Sequence, residues 1–342
     1  MKQAAVRSVL IGITVSLLCL WLAFRQVPFA DLANSLQSAR LSGLAVAFLG
    51  MMLSLVARAH RWSILLNGCT STGPAFWALS IGNLLNNILP LRAGEAARIV
   101  VLSGSSRIPL VQVAGSVIIE RMLDAFMLLL LLLLVFPWMQ VPIWITRTGM
   151  ALSAVTLVLF LMLLASVAAH ARVESWLEAL RRRIPLISSH TLSTRWRELV
   201  QGLSPFFQKP TALSAFFWSF VIWGGAAFMY WAVLRAFQPD ATWIEAGFIL
   251  AALSLAIAVP SSPGFVGVFQ YAGQQALVLP FGDKYDPALA LAITLAAHLM
   301  SYIITSFWGV LGFWQSRTSF THVLEKIRRK NRDLSLESGE KK

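Results

Sequence analysis

The chain has 342 residues, 57% of them hydrophobic and only 13% charged, with a mean hydropathy of +0.70. Soluble domains carry about 25% charged residues, so this composition excludes an ordinary soluble enzyme and points to a membrane protein. The net charge of +13 does not signal nucleic acid, because the basic residues gather in clusters that flank apolar runs.

Taken in chain order, apolar runs long enough to cross a hydrocarbon core lie near 6–24, 43–62, 111–136, 143–169, 211–235 and 288–314. The first follows Lys2 and Arg7, as a signal peptide would. It continues through Trp21 with no small-residue cleavage site after it, so it is expected to remain as a span. The second ends in Arg58, His60, Arg61 and Trp62. Such a basic-aromatic end suits the cytoplasmic interface, where Arg58 and Arg61 are expected to snorkel. A loop at 170–209 holds Arg172, Arg181, Arg182, Arg183, Arg195, Arg197 and Lys209, and a basic tail covers 317–342. Alternate counting from a cytoplasmic N-terminus puts loop and tail inside, the side that positive residues favour. The expected organisation is one transmembrane domain over 1–316, followed by that tail. Cys19 and Cys69 have no metal-ligand or redox spacing, and no cofactor is expected.

The count closes only if 74–109 and 242–280 each cross an even number of times. Both are interrupted. The first runs from Pro74 through Asn83, Asn86 and Asn87 to Pro90, then through Arg92, Gly94, Glu95 and Arg98. The second passes Pro260, Ser261, Ser262, Pro263, Gly264 and Gly267 on its way to Gln270 and Gln274. Proline removes a backbone donor and clashes with the preceding turn, so a continuous helix is not expected across either site. Broken backbone survives in hydrocarbon only where protein or a wet cavity satisfies it. A re-entrant hairpin from the cytoplasmic side fits the first region. The second is either two spans or a hairpin from the opposite side. Interrupted segments in corresponding halves suggest an inverted repeat with a site between them. The predicted fold class is therefore an all-α polytopic bundle with two broken segments.

Asn83, Asn86 and Asn87 share one helical face, and Arg92, Glu95 and Arg98 follow at steps of three. Two readings are open: an interfacial loop with a structural Arg-Glu-Arg pairing, or arginines that meet an anionic headgroup with Glu95 orienting them. Glu120, Arg121 and Asp124 interrupt a Leu-rich span. They either neutralise one another and dock the helix, or pair with Arg92 or Arg98, or relay protons. A helix beginning near Gly264 would aim its amides at an anion, with Ser261, Ser262, Gln270 and Gln274 extending the polar surface. In the last span Thr294, His298, Ser301, Tyr302 and Thr305 form a polar stripe. For His298 a hydrogen-bonded structural role is favoured over a titrating one. No phosphate-binding glycine loop, metal cluster or nucleophilic triad is found.

The order of Arg61-Trp62, Asn86-Asn87 through Pro90, Arg92, Gly94, Glu95 and Arg98, then Glu120-Arg121 with Asp124, then Pro263-Gly264 through Gln270 resembles a known family. It is the flippase-like family typified by the transmembrane domain of lysylphosphatidylglycerol synthases, and the resemblance runs from first span to last. It implies translocation of a membrane lipid across a bacterial inner membrane. The lipid implied is an anionic phospholipid or a polyprenyl- or hopanoid-type lipid. Without the soluble aminoacyl-transfer domain of the two-domain relatives, aminoacyl transfer is not implied. Relatives carry an acidic residue where this chain has Gln270, so proton coupling is not carried over to that position. The rival expectations are a membrane-embedded lipid-modifying transferase, and an accessory subunit partnering a lipid-synthesis enzyme. The sequence leaves the oligomeric state open.

Overall fold

A computed structural model describes residues 2–25, 27–138, 189–258 and 261–316, with a few positions between 154 and 175. Apart from those positions, the expected span at 143–169 lies outside the described residues. So do Arg172, Arg181, Arg182, Arg183, Pro260 and the tail at 317–342.

The described residues form eleven α-helices and no strand: an all-α bundle. In chain order they are α1 (Lys2–Phe24), α2 (Phe29–Gln37), α3 (Leu41–Leu65), α4 (Thr72–Ile88), α5 (Ala93–Ser106) and α6 (Leu110–Val135). After the gap come α7 (Ser189–Leu203), α8 (Lys209–Phe237), α9 (Trp243–Ala258), α10 (Val268–Phe281) and α11 (Pro287–Gln315). Three of them, α3, α8 and α11, are long and apolar enough to cross a membrane. The apolar part of α1 and the short α2, bent by 83° from each other, make a fourth candidate span when counted together. At 26 residues α6 has the length, about 39 Å, but carries Glu120, Arg121 and Asp124 in its middle.

Helices α3 and α8 pack antiparallel. Gly43 sits on Ala236, Gly50 on Gly225, and Arg61 reaches Ser219. Hydrophobic driving force is weak between helices in lipid, and small residues let the backbones close up and gain dispersion instead.

Two helical hairpins rise from opposite ends of this pair. The α4–α5 hairpin starts at the end marked by Leu65, and the α9–α10 hairpin starts beyond Phe237 at the other. The first breaks at Leu89, before the 3₁₀ turn Pro90–Arg92. Pro90 has no N–H to continue the ladder, and Arg92 turns left-handed at φ 54° to start α5. The second resumes at the 3₁₀ turn Pro263–Phe265, and α10 starts after Gly267, whose φ of 87° is cheap only for glycine. Region 242–280 is thus a hairpin of two short helices packed on each other, about 24 Å and 21 Å long. Segments α3–α6 and α8–α11 repeat one order, helix–hairpin–helix, in opposite senses. That is the geometry of an inverted repeat.

Helix α11 supports both tips. Asp286 caps it, accepting from the Ala288 and Leu289 amides at 2.8 and 3.0 Å, with Pro287 preset at its first turn. Its middle turns bond to each hairpin. Asn87 donates to Thr305 and Ser306 at 3.0 and 3.1 Å, and the Tyr302 hydroxyl donates to the Asn87 carbonyl at 3.2 Å.

Candidate functional site

Where the two tips meet, a cavity of about 380 Å³ opens inside the bundle. Its wall takes Ser54 and Arg58 from α3, Asn83, Asn86 and Asn87 from α4, and Arg92 from the first tip. Glu95 and Arg98 come from α5 and Arg121 from α6. Opposite stand Tyr230, Ser254, Gly264, Phe265, Phe269, His298, Ser301 and Tyr302.

Behind one side of the wall lies a continuous ion-pair network. The fully buried Glu120 accepts from Arg98 at 3.0 Å and from Arg121 at 2.6 Å. Asp124 accepts from Arg61 at 2.7 Å and Arg58 at 3.1 Å, and lies 3.6 Å from Arg121. Glu95 holds Arg98 at 2.7 Å. A lone buried charge is prohibitively costly, so the buried Arg61, Arg98 and Glu120 survive only through their partners. The pairing of Arg98 with Glu95 and Glu120 combines both sequence expectations for these segments.

Arg58 and Arg61 do not snorkel. Arg61 is 0% exposed, bonded to Asp124 and to Ser219 at 2.8 Å. The reason is geometric: on α3 they lie on the face turned to α6 and α8, where the acidic pair of α6 needs counter-charges. Both were missed as site residues, although Ser54, Arg58 and Arg61, spaced by four and three, already draw a polar stripe down α3.

Arg92 differs from the other arginines. Among the described residues it has no carboxylate partner. Its guanidinium donates to the Ile257 carbonyl at the end of α9 and lies 5.7 Å from the centroid of the Phe265 ring. Of the amides, Asn86 accepts from the Gly94 N–H at 2.9 Å and so ties the tip to α4. Asn87 is held by α11. Asn83 faces the cavity with no bond to any described residue.

The second hairpin departs from expectation in one respect. Its helix starts at Val268 and not near Gly264, because Gly264 (φ 66°) belongs to the preceding 3₁₀ turn. One amide at that end is also taken from any anion: Gln270 Oε1 accepts from Gly267 N–H at 2.7 Å. With its oxygen so engaged, the Gln270 amide nitrogen must donate to His298 Nδ1, at 2.7 Å. The proton of His298 is then on Nε2, which donates to the Gly264 carbonyl at 2.9 Å. Gln274 donates to the carbonyls of Ala23 and Pro287, stitching α1 and α11 to α10. The Ser262 N–H donates to Ser16 Oγ, and the Ser262 hydroxyl donates to the Val266 carbonyl. The buried hydroxyl of Ser261 has no partner among the described residues. Ser261, Ser262, Gln270, Gln274, Glu120 and Asp124 therefore stand off the cavity wall, and the other nine expected site residues are on it.

Among the described residues no group of His, Cys, Asp and Glu is arranged to hold a metal ion. No curated protein and no solved structure matches the chain. A family model described as the lysylphosphatidylglycerol synthase TM region matches residues 9–309, a span that takes in both hairpins and the whole cavity wall. The chain belongs to that family of multi-pass membrane proteins linked to lipid handling.

Proposed function

We propose that the chain moves a lipid between the leaflets of a bacterial inner membrane, with the headgroup passing through the cavity between the hairpin tips. The observation that carries this reading is the charge of the site. Among the described residues, five arginines, at 58, 61, 92, 98 and 121, stand around the site with three carboxylates, at 95, 120 and 124, an excess of two positive charges, with Arg92 and Arg121 the exposed members. Intramembrane charge in excess of its partners is expensive, and a ligand of opposite sign relieves it. A volume near 380 Å³ is at the lower end for small-molecule pockets. It suits a headgroup while the chains stay in the bilayer.

The ion pairing weighs against the transferase reading. Glu120 and Asp124 are each held by two or more arginines, which leaves neither available as general acid or base. Arg195, Arg197 and Lys209 lie at the end from which the first hairpin rises, and under the positive-inside bias that end is cytoplasmic.

The test is reconstitution into vesicles with an anionic lipid labelled on its headgroup. Protein-dependent transfer of label between leaflets, without chemical change, is the expected result. A modified lipid product would shift the assignment to a transferase. The absence of both transfer and product, with the protein correctly inserted, would overturn the proposal.

A further inference from the structure

The cavity wall is one-sided in chemistry. Among the described residues its one carboxylate, Glu95, is engaged by Arg98, and the two behind it are engaged by Arg58, Arg61, Arg98 and Arg121. A headgroup ammonium would find no free carboxylate. The other acceptor for an ammonium is an aromatic face. Four rings besides His298 line the wall: Arg92 lies over Phe265, His298 stacks on Phe269 at 4.3 Å and 14° and meets Tyr302 edge-on at 6.2 Å, and Tyr230 is buried. The uncommitted polar groups on the wall are neutral. Asn83, Ser54 and Ser301 line the cavity and bond to no described side chain, so they are free to meet hydroxyls.

Resting on the translocation reading, we infer that the site selects an anionic lipid whose headgroup beyond the phosphate is neutral and hydroxyl-bearing, and rejects aminoacylated, net-cationic headgroups. Arg92, which has no carboxylate to release, receives the phosphate. Asn83, Ser54 and Ser301 read the hydroxyls. The lysyl headgroup in the name of the family brings two ammonium groups to one phosphate, and this wall adds repulsion to that surplus. The chain thus handles a lipid of opposite charge to the one for which its family is named.

The experiment is native mass spectrometry of the full chain. It is extracted from vesicles holding equal parts of phosphatidylcholine, phosphatidylglycerol and lysylphosphatidylglycerol. Phosphatidylglycerol is expected to occupy the site at least about tenfold over the lysyl lipid, the factor a single charge contact can supply in a partly screened site. Asn83→Asp, nearly isosteric, adds the missing carboxylate and is expected to narrow or invert that ratio. If that variant loses its thermal transition, Ser301→Asp asks the same question from the opposite wall. Equal occupancy by the three lipids, or preference for the lysyl lipid, overturns the selectivity and leaves translocation standing. Absence of any lipid adduct overturns the translocation reading beneath it, as does displacement of lipid by equal concentrations of glycerol 3-phosphate.

Discussion

Arg92 on the tip of one hairpin and Phe265 on the tip of the other are in contact, with the guanidinium carbon 5.7 Å from the ring centroid. The two broken segments are thereby joined through the residue with no carboxylate partner and a left-handed backbone. A non-glycine residue in that conformation costs about 1 kcal/mol or more, and glycine adopts it freely. Arg92→Gly is therefore expected to separate fold from function. Its thermal midpoint in detergent should equal or exceed that of the native chain, while lipid transfer in vesicles falls at least about tenfold through loss of a charge-assisted bond. Retained transfer would remove Arg92 from the site.

Arg98 and Glu120 behave oppositely, because both are buried and each neutralises the other. Glu120→Ala leaves a guanidinium with Glu95 as its remaining partner and is expected to cost about 3–5 kcal/mol. Arg98→Met combined with Glu120→Leu removes both charges and should cost less than Glu120→Ala alone. Thermal unfolding of Glu120→Ala, of Arg98→Met and Glu120→Leu singly, and of the double variant measures this. Additive losses would show that the pair is not coupled.

The first hairpin closes through two glycines. A methyl at Gly94 would run into the Gly82 carbonyl and come within 2.6 Å of Asn86 Oδ1. Backbone on backbone cannot yield as a flexible side chain does, so Gly94→Ala is expected to lose about 1–3 kcal/mol. Gly73→Ala, where a methyl meets nothing within 4 Å, is the matched control and should leave the midpoint unchanged. Equal effects from the two would indicate a general response of helix ends to alanine.

Much of this was legible in the residues. Pro90 and Pro263 mark the breaks because a missing N–H is a local property that no tertiary contact restores. The spacing of Glu120, Arg121 and Asp124 left self-neutralisation and pairing with Arg92 or Arg98 both open. It could not show that Arg58 and Arg61 pair with that cluster, since snorkelling and burial give a helix end one composition and differ only in what packs there. The second tip was misread for a related reason. A glycine-rich turn permits several helix starts, and Gln270 chooses among them by capping Gly267, a choice made by one side-chain bond.

The base of the second hairpin is fastened by a different cluster. Tyr285, in the connection from α10 to α11, is buried and donates to Glu245 at the start of α9. Lys284 bonds the same carboxylate at 2.9 Å. Burial, reinforced by the neighbouring Glu245, pushes the Tyr285 hydroxyl well above its usual value, because ionisation would put a phenolate beside a carboxylate. A folded-state value raised above the unfolded one means that the unfolded chain loses this proton first. The contribution of Tyr285 is therefore fully present below about pH 10 and declines as pH rises beyond it. Thermal midpoints of the native chain should fall above that pH more steeply than those of Tyr285→Phe. Below it, Tyr285→Phe should show a constant deficit of about 0.5–1.5 kcal/mol for the lost hydrogen bond. Parallel pH profiles for the two proteins would mean that the hydroxyl is not held by Glu245.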